Sequence, residues 1–432
     1  MPTKSSVGKT LPNTSAELVV ESPREVDSDH IELGANFVEP AGNHHRIWFR
    51  FPRDCASLLT RRADPFVIAT AVHAVQRYRS IHIRGTVSEG LLANLADFQS
   101  AFATFHSLPR VEPVDYTATD TAAAAGIARR PMGISAFSGG VDSCFSIFQH
   151  TGLSSFTPKR PLGAALMMHG FDIPLAQADT FARSAARSKQ MTDNAGLRFF
   201  TGATNVRTLP VAWEDTFGAV VAGSLSFFQP AYTFGLIPSC QDWTKMRLKT
   251  GSNPLMDPLL SSSSFQLIHD GTSFGRIEKL RRLASWPGAL RHLRVCWQGA
   301  QLDRNCGQCE KCLRTMMMLE VCGVNESDAF PRTISIEALN KLTVTSQGAI
   351  DEFGYLLSEA KRLGMQKPWM KPVARVLTRS ERKRRLWQQG KSIAALMPSP
   401  WQGVLGRAGR RWLGRNPAPA SSSLKTDAAG SL

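Results

Sequence analysis

Ser138-Gly139-Gly140-Val141-Asp142-Ser143 is the segment of this chain with the clearest chemistry. Two adjacent glycines let a backbone approach an anion closely, and two serines add hydroxyl donors. An apolar run, Gly133 to Phe137, precedes it and reads as a short buried strand. Cys144-Phe145-Ser146-Ile147-Phe148 follows with apolar side chains at helical spacing. Strand, glycine pair and helix start together turn backbone N–H groups and the positive helix end toward one point, a cradle for phosphate. Asp142 is placed there to orient the loop or to hold Mg²⁺. Gly8-Lys9-Thr10 has the look of a second phosphate loop, but no glycine stands five residues before Gly8 and no apolar strand leads in.

A second group is Cys306-x2-Cys309-x2-Cys312, with Cys296 ten residues upstream. Four thiolates at this spacing suit tetrahedral Zn²⁺, and a closed set of four ligands makes such a metal structural. An iron–sulfur cluster is the competing occupant, since the same ligand number serves it. Gly307 allows the tight turn, and a helix is expected from about Cys312. Cys55, Cys144, Cys240 and Cys322 lack metal spacing and read as small buried side chains.

The loop and the cysteine quartet together resemble the PP-loop ATP pyrophosphatases, in particular the relatives of 7-cyano-7-deazaguanine synthase. The likeness spans about Met132 to Leu319. It implies an open doubly wound α/β sheet, mostly parallel, of the adenine-nucleotide α-hydrolase type. It implies that Ser138, Gly139, Gly140, Val141, Asp142 and Ser143 hold ATP with Mg²⁺, and that the four cysteines hold structural zinc. The expected reaction is an ATP-dependent ligase or synthase step: ATP is cleaved to AMP and pyrophosphate to adenylate a carboxylate or carbonyl oxygen of a small-molecule substrate. A tRNA-modifying enzyme such as a sulfur transferase, with Cys144 or Cys240 as carrier, and a non-catalytic ATP-binding module are the alternatives.

The elements that must position these groups alternate. Leu162–His169, Leu197–Thr201, Phe234–Ile237 and Phe265–His269 read as strands, with helices expected over 175–194, 214–225 and 276–283, the pattern of a parallel sheet with crossovers. His169 and Gly170, after the second strand, fall on the same rim as the phosphate loop and are expected to touch the nucleotide. Arg276 and Lys279, at the start of a rim helix, are candidates to neutralise the leaving pyrophosphate. The polar loop from Gly251 to Leu260, followed by four serines, is the candidate substrate segment, with Gly251, Ser252 and Asp257 as contacts.

Ahead of this domain, residues 41–118 carry strand and helix periodicity for a small α/β unit, joined by a linker at 119–130. Residues 1–40 are polar and are expected to be a poorly ordered arm. Residues 131–330 form the nucleotide domain with its zinc knuckle at 296–312, and 331–366 a helical extension. Residues 367–432 form a basic tail. Of its first part, Lys367 to Arg415, thirteen residues are Lys or Arg against the single acid Glu381, a difference of +12 that supplies most of the formal +16. With Trp369, Trp387, Trp401 and Trp412 interleaved, this segment reads as a solvated or disordered tail, or as a contact for an anionic membrane surface or for RNA, with its end expected to be disordered. At 432 residues and 43% hydrophobic content, two or three domains are feasible. Cysteine usage and the polar N-terminus argue against a secreted disulfide framework. The expectation is a cytoplasmic protein, peripheral at the inner membrane if the tail binds lipid; the oligomeric state is left open.

Overall fold

The computed structural model describes residues 14–40, 42–108, 112–123, 131–157, 159–325, 327–331 and 333–395, with side chains to 386. The chain divides into two compact units, one within residues 1–307 and 318–332, the other within 308–317 and 333–432.

The first unit is α/β. Its strands and helices run β1 (Ser15–Val20), β2 (Arg24–Glu25), β3 (His30–Val38), β4 (His44–Pro52), α1 (Asp64–Arg77), β5 (Ser80–Ser88), α2 (Glu89–His106) and β6 (Asp115–Ala122). There follow β7 (Gly133–Ala136), α3 (Val141–His150), β8 (Leu162–His169), α4 (Ala178–Asn194), β9 (Arg198–Thr204), α5 (Trp213–Ser226), β10 (Phe234–Pro238), β11 (Gln266–Asp270), α6 (Arg276–Leu283) and α7 (Pro287–His292). Among the described residues all eleven strands join one mixed sheet in the order β11-β10-β7-β8-β9-β4-β3-β1-β5-β6, with β2 beside β3. Six of the ten strand pairs are parallel.

Three boundaries differ from expectation. Residues 15–38, assigned from their polarity to a poorly ordered arm, supply β1 to β3. In β3 the residues Leu33, Ala35 and Phe37 face the core, while Glu32 on the opposite face is covered by Arg46 and Arg50 of β4. Charge pairing across strands thus replaces part of the apolar pattern that signals a strand. The small N-terminal α/β unit does not stand apart, because β4 pairs antiparallel with β9 through Phe49↔Thr204 and Arg50↔Ala203. The 119–130 linker begins as strand: Thr119 to Ala122 belong to β6, paired with β5. Residues 124–130 lie outside the described residues, as do Gly8 to Thr10.

The core explains why the halves merge. Phe49, Phe51 and Phe66 of the N-terminal half meet Phe227 and Phe228, which follow α5, at centroid separations of 4.8 to 5.5 Å. Such fully buried edge-to-face rings each contribute about 0.5–1.5 kcal/mol beyond their area. Gly223 on α5 sits against the Pro65 carbonyl and Ala69, so α1 and α5 pack closely.

The helix α8 (Glu310–Val321) begins two residues before Cys312. The second unit holds α9 (Ile336–Lys341), α10 (Gln347–Arg362) and α11 (Met370–Ala395). Leu339, Val344, Phe353, Leu356, Trp369, Val373 and Val376 form its core. Trp369, expected at an interfacial surface, is instead buried there at 1% exposure. Lys371, Arg375, Arg379, Arg382 and Arg385 remain on the exposed face of α11. The side chains of Trp387, Trp401 and Trp412 lie outside the described residues. Among the described residues no helix is long and apolar enough to cross a membrane.

Candidate nucleotide and metal sites

β7 is the strand from which the chain departs in opposite directions, with β8 on one side and β10 on the other. In such sheets the crevice at the carboxyl end of that strand is where ligands bind. Residues 138–140 occupy it. Gly139 has φ +73°, a conformation that side chains with a Cβ rarely adopt. Gly140 is the N-cap of α3 and, being glycine, offers no side chain to the first-turn N–H groups. The positive end of α3 is therefore left for an external acceptor.

The hydroxyls shape the turn itself. Ser143 Oγ accepts from Ser138 N at 3.3 Å and donates to Gly140 O at 3.1 Å, and Ser138 Oγ accepts from Gly140 N at 3.4 Å. Behind the loop, Arg294 N donates to Gly139 O at 2.7 Å, and Arg294 Nε donates to Ser138 O at 3.3 Å. Arg294 was not singled out from sequence. The available signal was an arginine inside Leu293-Arg-Val-Cys296, whose ends are both buried.

Asp142, on the first turn of α3, gathers the two cations that sequence placed on α6. Arg276 Nη2 lies 2.8 Å from Asp142 Oδ2, and Lys279 Nζ lies 3.0 Å from Oδ1. Lys279 also donates to Ser239 O at 2.5 Å, at the end of β10. Burial pushes the Asp142 carboxyl upward, but the Arg276 and Lys279 charges outweigh it and hold the group below the usual carboxylate range. Both carboxylate oxygens are engaged by α6, so Asp142 acts here as the anchor of two cations rather than as an open metal ligand.

His169 and Gly170 reach the same rim but are turned into the fold. His169 Nε2 is 2.9 Å from Pro174 O, and its ring stacks on Phe181 at 4.5 Å. Burial lowers its pKa, so the neutral ring donating to that carbonyl is the favoured form. Gly170, at φ +94°, donates to Ile173 O at 3.0 Å to close the turn.

In the loop from Gly251 to Leu260, expected to touch substrate, the candidate residues Gly251, Ser252 and Asp257 are buried and bonded within the fold, while Leu255 and Pro258 are exposed. Gly251 N donates to Glu214 O at 2.8 Å. Ser252 Oγ donates to Asp257 Oδ2 at 2.7 Å, and His269 Nδ1 meets the same oxygen at 2.7 Å. Serine and histidine converge on one carboxylate, so this is a latch between the loop and β11, not a relay that activates the serine. Its position follows from strand alternation. His269 points toward Asp257, whereas the next residue, Asp270, reaches His150 at the end of α3, 2.9 Å away. The serine run docks on α2: Ser263 Oγ meets Ser88 Oγ at 2.8 Å and accepts from Gly90 N at 3.0 Å.

The sulfurs of Cys296, Cys306, Cys309 and Cys312 all lie within 4.8 Å of one another. Ligands about 2.3 Å from a tetrahedral zinc stand about 3.8 Å apart, so four thiols at this separation fit the ion. Gly307, at φ +70°, makes the turn between the first two ligands of the run. Cys312 N approaches Cys309 Sγ at 3.5 Å, an N–H···S contact that suits a thiolate. Asn305 braces the upstream ligand: its Oδ1 accepts from Val295 N and Cys296 N at 2.9 and 3.1 Å. Cys144 faces inward, 3.9 Å from Met191 Sδ, and burial raises its thiol pKa; Cys240 is exposed.

Comparison with protein-family models, curated proteins and solved structures finds no match for the chain.

Proposed function

We propose that the chain is a PP-loop ATP pyrophosphatase that binds ATP at Ser138–Ser143 and adenylates a small-molecule substrate. A substrate carboxylate or carbonyl oxygen attacks the α-phosphorus, the bond to the β-phosphate oxygen breaks, and pyrophosphate departs with the electron pair. The observation that carries this reading is the convergence of an uncapped helix start with Lys279, Arg276 and Arg294 at the strand-order switch. Main-chain N–H groups of the loop would bind the phosphates, and Ser138 and Ser143 would fix the turn. Asp142 holds Lys279 and Arg276 ready, so they need not reorganise as charge moves to the leaving group. Mg²⁺, when bound with the triphosphate, would offset further charge on pyrophosphate. Zinc in the cysteine quartet would be structural.

A nitrogen nucleophile would then attack the activated carbon, and its bond to the adenylated oxygen would break with AMP leaving on the electron pair. A sulfur-transfer reading loses Cys144, whose thiol is buried against Met191, and rests on Cys240. RNA as substrate draws on the exposed cations of α11, and the same face would serve an anionic membrane surface. The direct test incubates purified protein with Mg-ATP and a panel of carboxylates. Equal amounts of AMP and pyrophosphate, formed about 10²- to 10³-fold more slowly by Lys279→Ala, support the reading. ADP and phosphate, or no turnover with any carboxylate, count against it.

A further inference from the structure

We propose that Arg294 is a positioning residue that couples the cysteine quartet to the phosphate loop, so that metal and nucleotide strengthen each other's binding. The inference rests on the ATP reading of the loop.

Two consecutive carbonyls of the loop, Ser138 O and Gly139 O, are held by Arg294, one by its side chain and one by its main chain. In a trans peptide the C=O and the following N–H point in opposite directions. Fixing those carbonyls backward therefore turns the Gly139 N–H forward, to the side where a phosphate would lie, and the Gly140 N–H toward Ser138 Oγ, 3.4 Å away. Arg294 thus sets which way the cradle faces.

The same residue is tied to the metal segment. Arg294 Nη1 donates to Leu302 O at 3.1 Å, inside the stretch between Cys296 and Cys306. Asn305, next to Cys306, donates to Leu293 O at 2.7 Å and accepts from the backbone of Val295 and Cys296. Asp303 in this stretch is buried and pairs with Arg183 and Arg187 of α4. That helix carries Ser188 and Met191, and a methyl group placed on Gly139 would lie 3.5 Å from Ser188 Oγ and 3.4 Å from Met191 Cε. The 293–306 segment is therefore held at one end by the ligand cysteines and at the other by the phosphate loop.

The electrostatics point the same way. Arg294 is 8% exposed, and among the described residues its one carboxylate within 4 Å is Asp172, at 3.7 Å and half-exposed. A buried guanidinium with so distant a counter-ion gains from an anion at the loop. Without metal the four thiols lose their common anchor, Leu302 O is no longer held for Arg294, and the carbonyl clamp loosens.

Reciprocity makes this testable without turnover. Zinc affinity of the full chain is measured by chelator competition, with and without a non-hydrolysable Mg-ATP analogue whose binding is followed by calorimetry. The analogue should raise zinc affinity about tenfold, within the usual range of coupling. Arg294→Lys, whose ammonium cannot donate to Ser138 O and Leu302 O in the fork geometry, should bind one zinc with the coupling cut below about twofold. Asp172→Asn should leave it intact. Analogue binding that leaves wild-type zinc affinity unchanged, or full coupling in Arg294→Lys, overturns the inference alone. Absence of analogue binding overturns the ATP reading, and this inference with it.

Discussion

Glu32 and Asp142 are both carboxylates crowded by cations, one on a strand of the sheet and the other on a helix that follows a strand in its opposite half. Glu32, on β3, takes Arg24, Arg46 and Arg50 at 2.5 to 3.0 Å. Asp142, on α3, takes Arg276 and Lys279 at 2.8 and 3.0 Å. In each case burial raises the carboxyl pKa and the neighbouring cations lower it more, with a net downward shift. The cations differ. Those around Glu32 are 29 to 58% exposed, so water screens them and the cluster is complete in itself. Those around Asp142 are 16 and 2% exposed, and they stand at the open end of a helix. The same pairing thus serves as cross-strand fastening in one half and gathers two little-exposed cations beside the uncapped start of α3 in the other.

Removing a ligand of the cysteine quartet should have the largest effect. Cys309→Ser is expected to leave less than about half an equivalent of zinc and to lower the melting midpoint by about 5 °C or more, since structural metal binding is folding free energy. Metal analysis and calorimetric melting check it; unchanged stability would mean that the thiols do not hold metal. Lys279→Ala should lower turnover about 10²- to 10³-fold, the usual cost of one preorganised charge at a site of developing negative charge. Glu32→Gln tests the other half. Leaving three arginines around a neutral amide should cost about 1–3 kcal/mol of stability while ATP affinity stays within twofold. A large loss of affinity there would break the distinction between fastening and site.

Asp142→Asn sharpens it through pH. Because the folded pKa of Asp142 is depressed, its contribution is fully present above the unfolded value of about 3.9 and is lost as pH falls through the lower folded value. The stability difference between wild type and Asp142→Asn should be flat from pH 8 to about 5 and shrink below about 4. A difference that instead changes between pH 6 and 8 would assign the linkage to another group. The smallest effect is expected for Cys144→Ala. Turnover should stay within about twofold, with a cost of about 1 kcal/mol for the small cavity. Loss of turnover would restore Cys144 as a reacting group.

Local sequence made the glycine turn between β7 and α3 and the cysteine cluster legible, because each is built largely from residues close together in the chain. The parallel strands were equally plain, since β7, β8 and β10 are buried on both faces and read as apolar runs. Arg276 and Lys279 were legible as cations on a rim helix, but their pairing with Asp142 was not, since it joins residues more than 130 positions apart. Other features depend on partners far along the chain. Glu32 and Asn36 make β3 look polar until Arg46 and Glu21 are set beside them. Trp369 reads as part of a basic tail until α11, which begins at the next residue, packs on α10. Gly251 to Leu260 has the composition of a solvent loop, yet its polar groups find Glu214 and His269. Arg294 carries no motif, and its importance lies in two carbonyls more than 150 positions earlier in the chain.

The most direct test of the central claim is calorimetric titration of Mg-ATP into the zinc-replete protein and into Gly140→Asp. Gly140 has an ordinary N-cap backbone, φ −82° and ψ 168°, so aspartate there should cap α3 and leave the fold intact. Its carboxylate would occupy the helix end that the phosphates need. The account predicts ATP binding by the wild type and a loss of at least about a hundredfold in Gly140→Asp at unchanged melting midpoint. Equal affinity in the two proteins, or no heat of binding in the wild type, would contradict it.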